Sequence, residues 1–302
     1  MNSARCKSLT RLDGKTVIVT GASAGIGKEA ARDLARRGAR IILACRNLKK
    51  AQRVAEEITT DTWNHNVVVR ELDVSDLESV RKFAEEILAT EEHLDILINN
   101  AGMAGNPKRE VTHDGLELTM ATNHYGHFLL TNLLLKLLRK SAPSRIVVVS
   151  SVMHKFCNKL DPEDLNFEKK HYSFFSSYNQ SKLCNVLFTL ELADRLQGAG
   201  VTANSLHPGA VATDISARGG HILYFLQNIG LKLIGKDCKL GAQTIIHLAV
   251  SEDVENVSGK YFVDCKEAEC SKLGTHRGMA KKLWLASELD VKLEPEDVHK
   301  FY

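Results

Sequence analysis

A phenol and an ammonium stand four residues apart in the segment Tyr178-Asn179-Gln180-Ser181-Lys182. In a helix, positions i and i+4 share one face, so these two side chains would be neighbours. A nearby ammonium favours the phenolate, and we expect the pKa of Tyr178 to fall from about 10 towards neutrality. A phenol of that kind is a general acid or base. Tyr/Lys pairs at this spacing are usually only surface contacts, so the chemical interpretation needs support from other residues.

A glycine-rich turn, Thr20–Gly27 (TGASAGIG), lies between an apolar run and a segment with helical periodicity. Its glycines permit a tight turn and let backbone N–H groups approach a pyrophosphate. The start of the following helix adds a positive partial charge. Such turns also occur merely to join a strand to a helix. The position at the start of a βαβ unit favours dinucleotide binding, and the absence of a GK[ST] ending argues against an NTP-hydrolysing loop.

The end of the second predicted strand indicates which dinucleotide is bound. An NAD site usually places an acid there to accept the ribose hydroxyls. This chain has Ala44-Cys45-Arg46-Asn47 instead, with no acid. The Arg46 guanidinium could pair with a 2′-phosphate, assisted by Ser23 and Lys28, or could be only a solvated cation. The missing acid predicts NADP(H) rather than NAD.

Short β-branched runs alternate with helical segments through the first two thirds of the chain. Strands and helices in alternation imply βαβ crossovers and a parallel sheet. We predict an α/β fold, a single-domain Rossmann-type doubly wound parallel sheet with helices on both faces. Strands are predicted over 15–20, 40–45, 67–72, 95–98, 145–150 and 201–206, and helices over 25–38, 48–59, 76–88, 115–139, 176–196 and 275–289.

No Pro- or Gly-rich linker divides the chain, so residues 1–302 are predicted to form one domain, with a core at about 12–264 and a C-terminal extension at 265–302. Two stretches interrupt the alternation before that extension. Met153–Phe175 is a polar-aromatic insertion, and Gly219–Gly235 is a short apolar segment between glycines. Both follow strand ends at the carboxyl edge of the sheet, where ligands bind in open α/β folds.

Several motifs occur in one order along the chain: Gly21-x3-Gly25-Ile26-Gly27, Asn99-Asn100-Ala101-Gly102, Asn123, Ser151, Tyr178-x3-Lys182 and Pro208-Gly209. Each motif is weak alone, but the combination, from Leu12 to about Asp264, resembles the classical short-chain dehydrogenase/reductase family. Within that family the chain is most similar to the retinol dehydrogenase group. The supporting strings are GASAGIGKEAARDLARRGAR, ILACRN, NHYGHFLLTNLLL, YNQSKLCNVLFTLELADRL and HPGAVATDI.

The resemblance implies catalytic roles for four residues. Tyr178 resembles the proton donor to the carbonyl oxygen, and Lys182 the residue that lowers the tyrosine pKa and holds the nicotinamide ribose. Ser151 resembles the side chain that hydrogen-bonds the substrate oxygen, although Ser150 is an alternative. Asn123 resembles the asparagine that supports the lysine through water, or it could bond only to its own helix. For Ser151 and Tyr178 to meet, the insertion between them must loop out.

The resemblance also implies a set of cofactor contacts. Asp73 resembles the adenine-binding acid, although it could instead cap the helix that begins near Asp76. The asparagines of the Asn99–Gly102 turn and the Pro208–Gly209 pair could also serve ordinary turns. The predicted cofactor-binding residues are Gly21, Ser23, Ala24, Gly25, Ile26, Gly27, Arg46, Asp73, Val74, Asn99, Ala101, Gly102, Tyr178, Lys182, Pro208, Gly209, Val211 and Thr213.

Segment His221–Ile234 (HILYFLQNIGLKLI) is the predicted substrate lid, faced by aromatic residues of the insertion. An apolar wall suits a long apolar alcohol or aldehyde better than a sugar. The substrate pair implied by the resemblance is retinol and retinal. Steroids, lipid aldehydes and xenobiotic carbonyls are the alternatives, and a non-enzymatic nucleotide-binding scaffold is the third. The lid residues could instead pack on the sheet or touch a bilayer surface.

Composition limits partners and location. The formal net charge of +3 is too small to indicate nucleic acid, and the seven cysteines form no CxxC pair. No HExxH or HxxxH pattern occurs, so no metal site is predicted. The start of the chain has no apolar signal, and no run is long enough to span a bilayer. We expect a cytoplasmic protein, with peripheral contact to an intracellular membrane such as the endoplasmic reticulum as an alternative. Leu129–Leu138 is expected to be buried core or the helix of a homodimer.

Overall fold

A single twisted sheet organises the molecule in the computed structural model, which describes residues 5–209, 237–294 and 297. The spatial order of its strands is β3-β2-β1-β4-β5-β6-β7-β8, and every neighbouring pair is parallel except β7 with β8. The strands are β1 (Thr16–Thr20), β2 (Arg40–Cys45), β3 (Val67–Glu71), β4 (Ile96–Asn99), β5 (Ser144–Val149), β6 (Val201–His207), β7 (Tyr261–Val263) and β8 (Lys266–Glu267).

Helices cover both faces of this sheet. A π-helical turn, Ala121–Tyr125, joins α4 to α5, and a 3-10 turn, Val152–Phe156, follows β5. The α-helices are α1 (Gly25–Arg36), α2 (Leu48–Thr62), α3 (Leu77–Thr90), α4 (Leu118–Met120), α5 (Gly126–Lys140), α6 (Phe174–Arg195), α7 (Cys238–Gly241), α8 (Gln243–Val250) and α9 (Arg277–Asp290).

The strand sequences are apolar at nearly every position because both faces of the sheet are buried. Side chains alternate between the faces along each strand. In β1, Ile18 packs in the core shared with α3, α5 and α6, whereas Val17 and Val19 pack in the core shared with α1 and α2. All three are fully buried. The predicted doubly wound Rossmann-type α/β fold is therefore confirmed.

The chain reverses its direction of travel across the sheet between β1 and β4. β1 pairs with β2 on one side and with β4 on the other, so the connections leave from opposite faces at that point. Such a switch opens a crevice at the carboxyl ends of the two strands. The glycine-rich turn follows β1 and the Asn99–Gly102 turn follows β4, so both predicted cofactor segments lie at this crevice.

The leucine-rich segment Leu129–Leu138 is buried core within one chain. It forms most of α5, and its leucines are at most 7% exposed except for the partly buried Leu133. The C-terminal helix α9 contributes to this core. Trp284 packs edge-on against Phe128 of α5 with ring centres 4.9 Å apart, and it stacks on Phe188 of α6 at 5.8 Å. Arg195 covers the same indole at 4.2 Å.

Two polar side chains fix the insertion between Ser151 and Tyr178, Asp164 within the insertion itself and Gln180 on α6. The carboxylate of Asp164 accepts hydrogen bonds from the backbone N–H groups of Glu168, Lys169 and Lys170. The side chain of Gln180 on α6 donates to the carbonyl oxygen of Leu165 at 2.8 Å and accepts from the Lys170 ammonium at 2.7 Å. These contacts fix the insertion beside α6, with its Leu160 and Leu165 buried in the core.

Candidate active site

Tyr178 and Ser151 meet at the carboxyl edge of the sheet. Ser151 directly follows the strand-end residues of β5, and Tyr178 lies in the second turn of α6, whose start is fixed by a capping box from Ser173 to Ser176. The Ser151 hydroxyl oxygen accepts from the Met153 backbone N–H at 3.2 Å, and its side chain hydrogen-bonds the Tyr178 hydroxyl. The Met153 N–H occupies one of the two lone pairs of this oxygen, and the serine proton remains available to the phenol oxygen.

Ser150, the alternative to Ser151, serves the scaffold. Its hydroxyl donates to the Lys182 backbone carbonyl at 2.7 Å, and the residue is 2% exposed. It therefore fastens the end of β5 to α6 rather than facing the crevice. The structure brings Ser151, and not Ser150, to the phenol.

Lys182 lies one helical turn beyond Tyr178 and is almost completely buried. Its ammonium donates to the Val149 carbonyl at 3.2 Å and lies 5.7 Å from the centre of the Tyr178 ring. Burial lowers the pKa of Lys182 from 10.5 to about 8, because desolvation disfavours the charged form. A cation near a phenol is thus present at neutral pH but easily discharged.

The expected fall in the pKa of Tyr178 is wrong for this structure. Burial raises the pKa of the phenol above its usual value, and the hydrogen bond from Ser151 opposes only part of that rise. The physical reason is that an apolar cleft disfavours the phenolate, while the Lys182 ammonium lies towards the ring and is bonded to Val149. Tyr178 is therefore a protonated phenol at neutral pH, which is the form that donates a proton.

Asn123 lies in the π-helical turn and bonds outside its own helix. Its side chain donates to the Met103 carbonyl and accepts from the Met103 backbone N–H at 2.9 and 2.8 Å. It also donates to the Ser181 hydroxyl at 2.9 Å, and that hydroxyl donates to the Tyr178 carbonyl at 2.8 Å. Asn123 thus connects the turn after β4 to the helix that carries Tyr178 and Lys182.

The glycines of the Thr20–Gly27 turn are required by close approach and by backbone angle. Gly21 and Gly25 have φ of +67° and +59°, which L side chains rarely adopt. A Cβ on Gly21 would lie 2.8 Å from the Ala101 Cα, and one on Gly27 would lie 2.3 Å from the Asn100 side-chain nitrogen. The turn is therefore packed directly against the turn that follows β4.

The first turn of α1 fits a pyrophosphate. Its N-cap residue Ala24 has no side-chain oxygen to accept the free backbone N–H groups, and the first turn contains no acid. Ser23, Ala24 and Gly25 are half-buried at the surface of the crevice, while Ile26 and Gly27 are buried beneath it. Uncapped N–H donors and a helix dipole form an anion site. The residues present therefore fit the dinucleotide that the sequence implied.

Arg46 and Asp73 lie next to each other at the ends of β2 and β3. The guanidinium of Arg46 is 62% exposed and forms an ion pair with Asp73 at 3.3 Å. Burial raises the pKa of Asp73, but hydrogen bonds from Ser75 and the charge of Arg46 leave it lower than usual. Asp76, not Asp73, caps α3, since its side chain accepts from the Glu78 and Ser79 N–H groups. Lys28 is paired with Glu57 at 2.6 Å.

The turn after β4 brings the cofactor crevice close to the catalytic residues. A Cβ on Gly102 would lie 3.1 Å from the Asn123 side-chain oxygen and 3.6 Å from the Lys182 ammonium. The Ala101 N–H donates to the Thr20 hydroxyl at 2.9 Å. Asn99 is buried and donates to the Thr131 hydroxyl at 2.9 Å, which makes it a fixed part of the wall.

Val74 and the segment after β6 complete the predicted cofactor contacts. Val74 is buried, and its carbonyl oxygen would lie 1.9 Å from a Cβ on Gly126, so only glycine fits at the start of α5. Pro208 and Gly209 directly follow β6, and both are half-buried. Val211 and Thr213 lie outside the described residues, as does the predicted lid at 221–234.

Three polar residues of the site received no role from the sequence. Thr20 ends β1, His127 is the second residue of α5, and Ser181 lies within the Tyr178…Lys182 spacing. All three are at most 1% exposed and are hydrogen-bonded to site residues. The sequence feature that could have identified these residues is a polar side chain within an otherwise apolar run. Its partners come from distant parts of the chain and could not be inferred.

Within the described residues, one group of side chains has the composition and spacing to hold a metal ion, and it lies at the start of α3. Asp76, His113 and Asp114 place their ligand atoms within 4.8 Å of one another. Asp76 and Asp114 are already occupied by backbone N–H groups of α3. Within the same residues, no helix has the length and apolar character needed to cross a membrane.

Comparison with known proteins agrees with this geometry. Residues 15–161 match the family model described as short chain dehydrogenase. Retinol dehydrogenase 12 from Mus musculus is 48% identical over 282 residues, which cover 93% of this chain and 88% of that relative.

Solved structures are similar over most of the chain as well. An uncharacterized protein from Mycobacterium paratuberculosis is 34% identical with a TM-score of 0.77, over 97% of this chain and 99% of that one. A short chain dehydrogenase from Shigella flexneri complexed with NADP is 26% identical with a TM-score of 0.65, over 86% of this chain and all (100%) of that one.

Proposed function

This chain belongs to the short-chain dehydrogenase/reductase family, and we propose that it is an NADP(H)-dependent oxidoreductase that interconverts a lipophilic alcohol and its aldehyde or ketone, most directly retinol and retinal. The observation that carries the proposal is the meeting of Ser151, Tyr178 and Lys182 beside Gly102 at the carboxyl edge of the sheet. A protein that only binds nucleotide has no need for this set.

The dinucleotide is held by residues on both sides of the switch point. The free N–H groups at the start of α1 take the pyrophosphate, and the Asn99–Gly102 turn borders the path to Lys182. No acid stands at the end of β2, and the exposed guanidinium of Arg46 is in place to bind a 2′-phosphate. Asp73, the ion-pair partner of Arg46, lies at the adenine end. When bound, the cofactor supplies the hydride acceptor and donor.

The chain supplies orientation and the proton. In reduction, the Tyr178 hydroxyl donates its proton to the carbonyl oxygen of the substrate, and the Ser151 hydroxyl, held by Met153, hydrogen-bonds the same oxygen. The Lys182 ammonium stabilises the phenolate left behind. Because burial keeps Tyr178 protonated at neutral pH, the resting residue is ready for the reductive direction. Oxidation uses the same atoms in reverse.

The substrate class follows from the relatives and from the apolar residues near the edge. Met153 is buried behind Ser151, while Phe174 and Phe175 at the start of α6 lie with ring centres 3.8 Å apart. Aromatic and aliphatic side chains suit a polyene better than a polar sugar. A long apolar aldehyde would contact these apolar side chains along its length and present its one carbonyl oxygen to the proton donor, Tyr178.

A substrate panel with a matched inactive variant tests the proposal. All-trans-retinal, a steroid ketone and a short aldehyde are compared by the loss of NADPH absorbance. We expect retinal to have the highest kcat/KM. Tyr178→Phe should lose at least about a thousandfold in kcat while its NADPH Kd stays within about twofold. NADPH binding without turnover of any panel member would favour a scaffold instead.

We also propose a cytoplasmic location with peripheral contact to an intracellular membrane such as the endoplasmic reticulum, because retinoid substrates partition into lipid. Flotation with phospholipid vesicles tests it, and a protein that stays at the bottom of the gradient contradicts it. A homodimer would form through a face other than the buried leucines of α5. Sedimentation velocity at several concentrations measures that state.

A further inference from the structure

His127 is a buried histidine at the point where the cofactor crevice meets the catalytic residues. It is 1% exposed. One ring nitrogen, Nε2, lies 2.9 Å from the Thr20 hydroxyl, and the other, Nδ1, lies 3.3 Å from the Asn123 carbonyl oxygen. The side chain therefore spans from the end of β1, where the phosphate-binding turn begins, to the π-helical turn.

The hydrogen bonds of Thr20 determine which nitrogen of His127 carries the proton. The Thr20 hydroxyl oxygen accepts two backbone N–H groups, from Asn100 and Ala101, both at 2.9 Å. A hydroxyl has two acceptor lone pairs and one proton. Its proton must then be donated, and His127 Nε2 at 2.9 Å is closer than the Ile98 carbonyl at 3.3 Å. Nε2 is thus an acceptor, and Nδ1 carries the proton donated to Asn123.

Burial and charge keep this tautomer neutral. Desolvation is the main cause that lowers the pKa of His127 to about 4, and the nearby Lys182 charge lowers it further. The hydrogen bond to the Asn123 carbonyl acts in the opposite direction but is weaker. At physiological pH the neutral imidazole donates one hydrogen bond and accepts another, and so holds its two partners at a fixed separation.

We infer that His127 is a positioning residue that fixes Thr20, and with it the dinucleotide turns, at one end, and at the other end the backbone carbonyl of Asn123, whose side chain bonds Ser181 next to Lys182. The inference rests on the proposed function. Asn123 lies within the π-helical turn, four residues before His127, so its carbonyl is within reach of the imidazole. One side chain then couples cofactor binding to the catalytic helix through two separable hydrogen bonds.

Two amide replacements separate the two ends. In His127→Asn, the amide nitrogen occupies the place of Nδ1 and keeps the bond to Asn123 but cannot reach Thr20. In His127→Gln, the amide oxygen occupies the place of Nε2 and keeps the bond from Thr20 but loses Asn123. We expect His127→Asn to raise the NADPH Kd roughly tenfold with little change in kcat, and His127→Gln to lower kcat roughly tenfold with little change in Kd.

The Kd is measured by titration of NADPH fluorescence, independently of turnover, and kcat is measured with retinal. His124→Gln is the matched control, because His124 is a buried histidine three residues before His127 that bonds Ser287 and Asn185 rather than Thr20. It should lower the melting temperature without separating Kd from kcat. Equal changes in both constants for the two His127 variants, or no change in either, would overturn the inference.

A second pair keeps the test decisive if a His127 variant fails to fold. Thr20→Ser retains the hydroxyl that pairs with His127 and should raise the NADPH Kd less than Thr20→Val, which removes that hydroxyl. The same Kd for both Thr20 variants contradicts the inference. If the wild type binds NADPH but reduces no retinal, the proposed substrate fails while the Kd comparison still tests His127.

Discussion

Tyr178 shows how a residue-level prediction can identify the group and miss its state. The i, i+4 spacing from Lys182 placed the ammonium near the phenol, and it does lie 5.7 Å from the ring centre. The pKa of Tyr178 is nevertheless raised, because desolvation of the phenolate outweighs its stabilisation by the hydrogen bond from Ser151. The spacing of two residues contains no information on how deeply the folded chain will bury them.

The low pKa of Lys182 predicts a pH dependence for reduction. Its ammonium, which stabilises the phenolate formed at Tyr178, is present below pH 8 and is lost as the pH rises through about 8. Tyr178 itself stays protonated over this range, since its pKa lies above 10. We therefore expect kcat/KM for retinal reduction to be flat from pH 6 to 7 and to fall above pH 8.

Steady-state assays in a constant-ionic-strength buffer series measure this profile. The stability of NADPH in each buffer is checked without enzyme, because the dinucleotide decomposes in acid. A profile that remains flat to pH 9.5 would contradict a role for the Lys182 charge.

Arg46 allows the cofactor preference to be tested at one residue. Arg46→Asp places a carboxylate at the end of β2, where it repels a 2′-phosphate and can accept ribose hydroxyls. Since charge-assisted bonds are worth about 1.5–3 kcal/mol, we expect the ratio of NADPH to NADH affinity to fall by roughly ten- to a hundredfold. Fluorescence titration with both dinucleotides measures it, and Lys136→Ala, at an exposed position of α5, is the control for simple loss of charge.

An unchanged ratio in Arg46→Asp would show that another group reads the phosphate. The ion pair with Asp73 makes a partial effect on both dinucleotides expected, because removal of the guanidinium frees an acid at the adenine end. The ratio, rather than either Kd alone, therefore carries the test.

At the scale of elements, the regular strands were predictable and the irregular turns were not. Six strands were located from β-branched runs because both faces of the sheet are buried, which leaves continuous apolar sequence. β7 and β8, at three and two residues, are too short to produce such a run. The predicted helix over 115–139 begins at Leu118 and contains the π-helical turn. Helical periodicity does not distinguish a widened turn from a regular one.

Substitution of Gln180 tests how the insertion between Ser151 and Tyr178 is positioned. Its amide bonds both the Leu165 carbonyl and the Lys170 ammonium, so that α6 fixes the segment beside Ser151. Gln180→Leu, of similar size, leaves those two groups unpaired. We expect a loss of about 1–3 kcal/mol in the free energy of unfolding and a severalfold rise in KM for retinal.

Urea denaturation followed by circular dichroism measures the stability of this variant. Gln52→Leu, on the exposed face of α2, is the control for replacing a glutamine. If Gln180→Leu unfolds and reacts as the wild type does, the insertion is positioned by other contacts.

At the scale of the whole molecule, the order of the strands decides which turns meet. The crevice between β1 and β4 exists only because the chain reverses there, and that reversal brings residues 20–27 and 99–102 together. Sequence motifs indicated this arrangement through the family resemblance, and the sheet order shows its physical cause. The described chain closes its helical face with its own C-terminal helix.

Trp284 measures how much that closure contributes. It is 3% exposed and packs on aromatic rings from α5 and α6. Truncation of a buried tryptophan leaves a cavity, and Trp284→Ala should cost about 3–5 kcal/mol in the free energy of unfolding. Leu289→Ala, at a position 79% exposed on the same helix, should change it by less than about 0.5 kcal/mol. Equal effects of the two substitutions would contradict the packing.

The docking of α9 has a consequence for biosynthesis. The rings of Phe128 and Phe188 gain Trp284 as a neighbour only when residues 277–290 have been made, after every catalytic residue. Until that helix is made and packs, the apolar surface formed by these two rings is exposed on the nascent chain, where chaperones can bind it. A nonsense codon shortly before position 277 would therefore yield a protein with every catalytic residue intact and with a strong tendency to be degraded.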